Sequence, residues 1–552
     1  ISLGGNTVGW GTLPSAISVN NDGTLYSGTL GAGEGDQDNI FLGRFAGEDA
    51  TDAYFSNFLG NSAGSGATGA NNSNFLGQYA GEGATNAYSS NFFGEHAGQG
   101  ATGAYNSNFL GYSAGQDATN ASSSNFLGSS AGHSATDASY SNFLGYSAGS
   151  GATNATNSNF LGYNAGNDAT GASYSNFLGS SAGSGATYAS YSNFLGYNAG
   201  SGATYASSSN FLGSYAGSGA TGASNSNFFG REVGENATNA SYSNFLGSSA
   251  GSGATDASNS NFFGANAGSY ATNAYFSNFF GSQAGYYATD ASYSNFFGDH
   301  AGSNATNASH SNFFGAYAGN NATDASNSNF FGYLAGYGAT GAYHSNFLGN
   351  YAGYNATNAS NSIFIGKSAG QNDTVNNTGS SDDFSILLGP NTSTGGYSNS
   401  IALGGYATNT KSNQFMIGST TRPIAETVWI LNGSGNSATL NTSGFITTSD
   451  ERLKNITSNL SNDTLSKLLN IETVNFTWKN DSSTQPKNNI GFLAQDLQQY
   501  FPELVYETGT GYYGVNYAGM TPILVEAIRE MNLRITDLNN MEVSNTWRDA
   551  LI

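Results

Sequence analysis

Few residues in this chain are of types that do chemistry, and most of them lie far apart. There is no cysteine, so no disulfide framework and no thiolate metal site can form. The five histidines (His96, His133, His300, His310 and His344) occupy scattered polar positions and make no ligand pair. Tyrosines such as Tyr79, Tyr112, Tyr163 and Tyr197 could stack on sugars or simply pack against neighbours at the solvent face. A threonine column (Thr51, Thr68, Thr85) has flanking alanines, but one Thr per repeat is thin support for ice binding. The most specific local signal is Ser449-Asp450-Glu451-Arg452-Leu453-Lys454. Taken alone it is a helix start, with Ser449 as N-cap and acids in the first turn. None of these residues calls for a cofactor or a metal.

The element that positions most of them is a 17-residue repeat, S-N-F-L-G-x-x-A-G-x-x-A-T-x-A-x-x, running from Asn39 to about Gly366. Its aromatic recurs at Phe41, Phe58, Phe75, Phe92 and Phe109, passes through Phe194 and ends at Phe364, 20 copies without an insertion or deletion. Abundant Gly, Ser and Asn would suit a disordered tract, but disorder would not hold an aromatic in strict register. The apolar burst is too short for a helix and is closed by Gly, which predicts a short strand ending in a turn. Successive strand residues face opposite sides, so Phe enters the coil while its Leu or Phe neighbour must be buried elsewhere. Wrapping three chains about one axis would bury that second column. The alanines suit close backbone passage, and variation falls at the x positions. At strand spacing the repeats would stack to roughly 95 Å.

Composition excludes several classes. The net charge is −22, which argues against nucleic acid and against an anionic membrane surface. No apolar run approaches the length of a membrane span. The chain begins at Ile1, so a processed or longer N-terminus is expected.

In order, residues 1–38 read as a β lead-in with Val8, Trp10, Leu13, Ile17, Val19 and Leu25 as apolar points. The shaft occupies 39–371. Residues 372–420 begin with a polar linker, Asn372–Asp383, and continue with looser repeats at Ile386-Leu387-Leu388-Gly389, Ile401-Ala402-Leu403-Gly404 and Phe415-Met416-Ile417-Gly418. Residues 421–448 form a β neck in which Val428–Leu431 and Ala438–Leu440 flank Asn432-Gly433-Ser434-Gly435. Within this part, Ser398-Asn399-Ser400-Ile401-Ala402-Leu403-Gly404-Gly405-Tyr406-Ala407 resembles the head repeat of YadA-like trimeric adhesins. That resemblance implies a trimeric parallel β-roll, of which the 17-residue repeats look like a longer-period version.

Residues 449–552 change to a mixed pattern: a short helix at Asp463–Leu469, alternation at Val474, Phe476 and Trp478, a strand running into a helix at Ile490–Asp496, and a hairpin at Thr508–Tyr517. Thr521-Pro522 is a helix start, with Thr as N-cap and Pro at N1. The last helix carries Leu524, Ile528, Met531, Ile535 and Leu538 at 4-3-4-3 spacing, a coiled-coil seam. The motifs S-D-E-R-L-K, I-G-F-L-A-Q-D, F-P-E-L-V and A-I-R-E-M resemble the intramolecular chaperone of endosialidase family, found at the C-termini of phage tail spikes and tail fibres. The resemblance implies a small α+β domain that brings three chains into register and then cuts itself off between Ser449 and Asp450, with Ser449 and Lys454 acting together. Such a pair needs a lysine with lowered pKa, through burial at an interface or through Arg452 nearby. Attack by Ser449 on its own carbonyl would close a strained four-membered ring, so attack across chains or by an activated water is easier.

The expected fold is therefore mainly β: a trimeric parallel β-solenoid or β-roll shaft followed by a small α+β domain ending in a coiled-coil helix. The expected function is a structural homotrimeric fibre for host or surface attachment, a viral tail fibre, outside the cell or on a virion. A bacterial surface adhesin or extracellular filament is the alternative. The expected partners are two further copies of the chain and a cell-surface glycan or receptor, with no nucleic acid and no membrane insertion. Enzymatic activity would be at most a single-turnover autoproteolysis.

Overall fold

The computed structural model describes residues 18–19, 25–27, 39–376, 383–419, 428–431, 437–441, 444–447, 451–460, 463–477, 479, 488–507 and 512–549. The chain divides into two compact units, Ile1–Val428 with Leu440–Thr442, and Trp429–Thr439 with Ser443–Ile552.

The first unit is a parallel β-solenoid. Twenty short strands run from Ile40–Leu42 through Asn57–Leu59 and, at 17-residue steps, to Asn346–Leu348 and Ser362–Ile365. Each pairs with the next in register, so that every residue faces its own counterpart: Asn193, Phe194 and Leu195 lie opposite Asn210, Phe211 and Leu212. Upstream, Leu25–Ser27 joins the stack in parallel and pairs antiparallel with Ser18–Val19. Val8, Trp10, Leu13 and Ile17 lie outside the described residues. Downstream, Ser385–Leu388, Ser400–Leu403 and Phe415–Ile417 extend the same parallel stack.

The coil of Asn193–Ser209 shows why this sequence folds so tightly. Its interior holds Phe194, Ala199, Ala203, Ala206 and Ser209, all buried. Phe rings stack face to face along the unit from Phe41 to Phe364 at centroid distances of 4.6–5.1 Å. One pair, Phe245 and Phe262, is tilted by 55°. Gly200 sits at φ +61°, and a Cβ there would lie 2.3 Å from the Phe194 ring; a Cβ on Gly196 would lie 2.5 Å from the Gly213 carbonyl oxygen. Those two columns stay glycine through the repeats. Gly202 faces open space, and its column accepts Asp117, Ser134 and Tyr270. Outside the strand the backbone still bonds from coil to coil. Asn198 N–H donates to Ser180 O, Gly200 to Ala216 O, Gly202 to Ser184 O and Thr204 to Ala220 O, at 2.7–3.0 Å. These bonds reach alternately to the coil behind and the coil ahead, which satisfies a backbone that few apolar side chains cover.

Two polar ladders reinforce the stack. The serine before each Asn-Phe is buried; Ser209 Oγ donates to Ala223 O and accepts the Ser226 N–H at 3.0 Å. Each Asn Nδ2 donates to the next Asn Oδ1, unbroken from Asn57 to Asn346 at 2.7–2.8 Å.

The stretch read as a polar linker instead continues the coil as far as Asn376. Thr374 bridges Thr357 in parallel. Asp373 is buried, and its carboxylate accepts from the Thr394 N–H and from the hydroxyls of Thr394 and Ser393 at 2.5–3.0 Å. Asn376, also buried, donates to Ser360 O at 2.8 Å. Polarity here marks a hydrogen-bonded coil interior, which composition alone does not distinguish from a loop.

A three-stranded sheet is formed by Val428–Leu431, Ser437–Asn441 and Gly444–Thr447. The α+β part of the second unit holds α1 (Thr464–Leu468), an antiparallel pair Thr473–Phe476 and Asn489–Phe492, then α2 (Ala494–Tyr500). A hairpin of Val505–Glu507 with Tyr513–Val515 follows, and then α3 (Met520–Asp549). Its core gathers Ile471, Leu497, Phe501, Leu504, Met520 and Ile523. The expected N-cap at Thr521 is displaced upstream. A 3₁₀ turn, Tyr517–Gly519, leads into α3, and Asn516 caps that turn by accepting the Gly519 N–H at 3.1 Å. Pro522 then falls inside the first turn of α3, where its missing N–H costs nothing.

Candidate functional site

Of the residues named for self-cleavage, Ser449 and Asp450 lie outside the described residues. Glu451–Leu453 forms one 3₁₀ turn, closed by the Lys454 N–H on Glu451 O at 3.0 Å, and the chain then runs without regular structure to 460. The segment is thus a single turn and not the first turn of an α-helix. Lys454 is exposed in the single chain.

Helix α3 presents two different stripes. Met520, Ile523, Ala527 and Glu530 are buried against the unit. Leu524, Ile528, Met531, Ile535 and Leu538 all face solvent, Ile528 at 59 % and Leu538 at 65 % exposure. The seam residues therefore form an apolar row that the single chain leaves open.

Glu530 is the residue that pattern reading missed. It is 6 % exposed, and its two carboxylate oxygens accept the backbone N–H groups of Thr464 and Leu465 at 2.9 and 3.0 Å. Asp463, at the N-cap position of α1, makes no side-chain capping bond. It pairs instead with Lys467 at 3.0 Å. A distant acid thus does the work of the cap, placing negative charge at the positive end of a five-residue helix. The available signal was an acid in phase with Ile523 and Ala527, where a surface residue has no reason to sit.

On the solenoid, Phe58, Phe75, Phe92, Phe109, Phe194 and Phe364 are fully enclosed, while Phe41, in the first described repeat, is only partly buried. The neighbouring column points outward. Leu246, Phe331, Leu348 and Ile365 are exposed, and Phe263, Phe280, Phe297, Phe314 and Phe331 stack along it at 4.7–4.9 Å. Histidines join surface stacks: His96 lies on Tyr79 at 5.0 Å, His300 on Tyr317 at 4.7 Å and His310 on Tyr293 at 4.9 Å. Among the described residues no group of side chains could hold a metal ion, and no helix is long and apolar enough to cross a membrane.

No curated protein and no solved structure matches the chain. Residues 449–506, the span from the Ser449 segment through α1, α2 and into the first strand of the hairpin, match the family described as chaperone of endosialidase.

Proposed function

We propose that three copies of this chain assemble in parallel as an extracellular or virion-borne fibre of the tail-fibre type, which attaches to a surface, and that residues 449–552 drive the assembly. The observation that carries this reading is the outward Leu/Phe column, an apolar row along a coil whose own interior is already closed. The open seam of α3 and the family match at 449–506 support it. The number three comes from the family resemblance. A chaperone answers a physical need. Every coil can pair with every other, so a slip by one repeat is nearly isoenergetic, and a unit with unique contacts must set the register first.

Release would follow by hydrolysis of the Ser449–Asp450 peptide bond. One water is consumed, Ser449 keeps a carboxylate and Asp450 gains a free amine. Ser449 and Lys454 would act from neighbouring chains or through that water.

Native mass measurement is expected to give a trimer, and a stable monomer would sink the fibre reading. End-sequencing should find a new terminus at Asp450, lost in Ser449→Ala and in Lys454→Ala while trimers persist. An uncut wild-type chain would leave a permanent trimerisation cap in place of an autoprotease. Aspartate at Leu524, Ile528 and Ile535 should block assembly during synthesis, yet spare a shaft already formed. The bacterial adhesin or filament reading rests on Ser398–Ala407, which lies where coils shorten to 15 and then 14 residues. Labelling that places the protein on a cell envelope, and not on virions, would favour it.

A further inference from the structure

We propose that one face of the solenoid carries a glycan-binding groove specific for neutral, hydroxyl-rich sugars. The inference rests on the attachment reading and names the ligand class. A groove of about 740 Å³ runs across six successive coils, along the stack and perpendicular to the strands. One wall is the column that begins at Gly103 and passes Asp137, Asn154 and Gly171 to Tyr188; the other runs from Tyr105 past Thr156 and Ser173 to Ser190, with Tyr140 and Tyr174 of the adjacent column beside it.

Its chemistry changes along its length. Tyr188 is 61 % exposed, and Tyr205 of the next coil covers one face of its ring at 5.0 Å and 2°. On the other side of Tyr188 the same column holds Gly171, which has no side chain to cover the second face. Across the groove Tyr174 is backed by Tyr191 at 5.1 Å and 1°, on the side of the following coil, with Asn157 one coil behind it. The open face of Tyr188 thus looks toward a trough of amide and hydroxyl groups, with the Tyr174 ring at its side. The polarised C–H face of a pyranose fits against such rings, with its hydroxyls turned to Asn154, Thr156 and Asp137. Asp137 is already fixed, accepting from Asn120 Nδ2 at 2.6 Å, while its backbone carbonyl accepts from the Thr156 hydroxyl at 2.7 Å.

Charge selects among sugars. Asp137 is the only carboxylate lining the groove, no Lys, Arg or His lines it, and the chain carries −22 overall, so an anionic sugar finds repulsion and no counter-charge. A peptide is disfavoured as well, because a groove that crosses the strands offers no strand edge to extend.

The test uses the full chain on an array of cellohexaose, maltohexaose, mannohexaose and sialylated oligosaccharides, followed by titration calorimetry of the hits. At least one neutral hexamer should bind and the sialylated probes should not. Tyr188→Ala should weaken binding by at least about tenfold, the loss of one good stacking contact. Gly171→Asn should do the same by filling the slot. Asparagine tolerates the φ of +60° there and stands in the same column at Asn154 and Asn120, so the coil should fold normally. Tyr242→Ala, on an exposed tyrosine outside the groove, should change nothing. A blank array, preference for sialylated probes, or wild-type affinity in Tyr188→Ala overturns the proposal. A trimer with a blank array leaves the fibre standing and removes the groove; a monomer that binds a neutral hexamer does the reverse.

Discussion

The two units solve opposite problems. In the solenoid the side chains of the constant columns find their partners in copies of themselves one coil away: Phe on Phe, Asn on Asn, and Ser on Ser through the backbone. In the C-terminal unit the decisive contacts are unique and remote, such as Glu530 reaching Thr464 across 66 residues of sequence. The solenoid closes its interior within one chain but has nothing in its pattern that marks one coil from another. The C-terminal unit has a definite address for each contact, yet leaves most of α3 in solvent. Periodicity repeats one set of contacts and loses registration; irregular structure makes unique contacts and leaves apolar surface uncovered.

The sharpest way to break this contrast is Phe194→Asp. An unpaired carboxylate inside the Phe stack should cost more than about 4 kcal/mol locally, opening the coils around it in hydrogen exchange while distant coils stay protected. Uniform loss of protection would show that the coils are not nearest-neighbour units. Gly200→Ala comes next. Its Cβ would meet the Phe194 ring at a positive φ, so a loss of roughly 3 kcal/mol is expected in thermal or denaturant unfolding. A neutral result would mean that the stack yields more than its spacing implies. Glu530→Ala should destabilise only the C-terminal unit, by about 2 kcal/mol, because two amides at the start of α1 lose their acceptor. Nuclear magnetic resonance shifts at Thr464 and Leu465 would localise the effect. Least is expected of Tyr197→Ser. Tyr197 is exposed and meets the neighbouring Tyr215 edge-on at 5.3 Å at the surface, so stability should change by under about 0.5 kcal/mol. A loss equal to that of Phe194→Asp would invert the assignment of inside and outside.

Much of the solenoid could be read in advance because repetition converts a weak local pattern into a strong one. Phe inside, Leu or Phe outside, and glycine where backbone or ring comes close all follow from two-residue alternation and close packing. The serine column was harder. Its constancy was visible, but burial of a hydroxyl depends on carbonyls from two other coils, which a single repeat does not display. Nor does the pattern foretell left-handed φ at Tyr188, Tyr205 and Ser208, since only glycine and asparagine advertise that conformation. In the C-terminal unit the elements were legible and their junctions were not. Asn516 and Glu530 act as caps from outside the helices that they serve.

Four aspartates of one surface column share a further arrangement. Asp137, Asp256, Asp290 and Asp324 each take a hydrogen bond from an asparagine one coil earlier, Asn120, Asn239, Asn273 and Asn307, at 2.5–2.6 Å. Two carboxylates in adjacent coils of that column would repel at close range; an amide between them removes the repulsion.

Because each coil bonds to its neighbours in the same way, a gene that gains or loses one repeat makes a shaft with no new kind of contact. Length becomes a heritable integer. Shaft length can change between generations by unequal recombination, in increments of one stacked ring, while the flanking sequences stay the same.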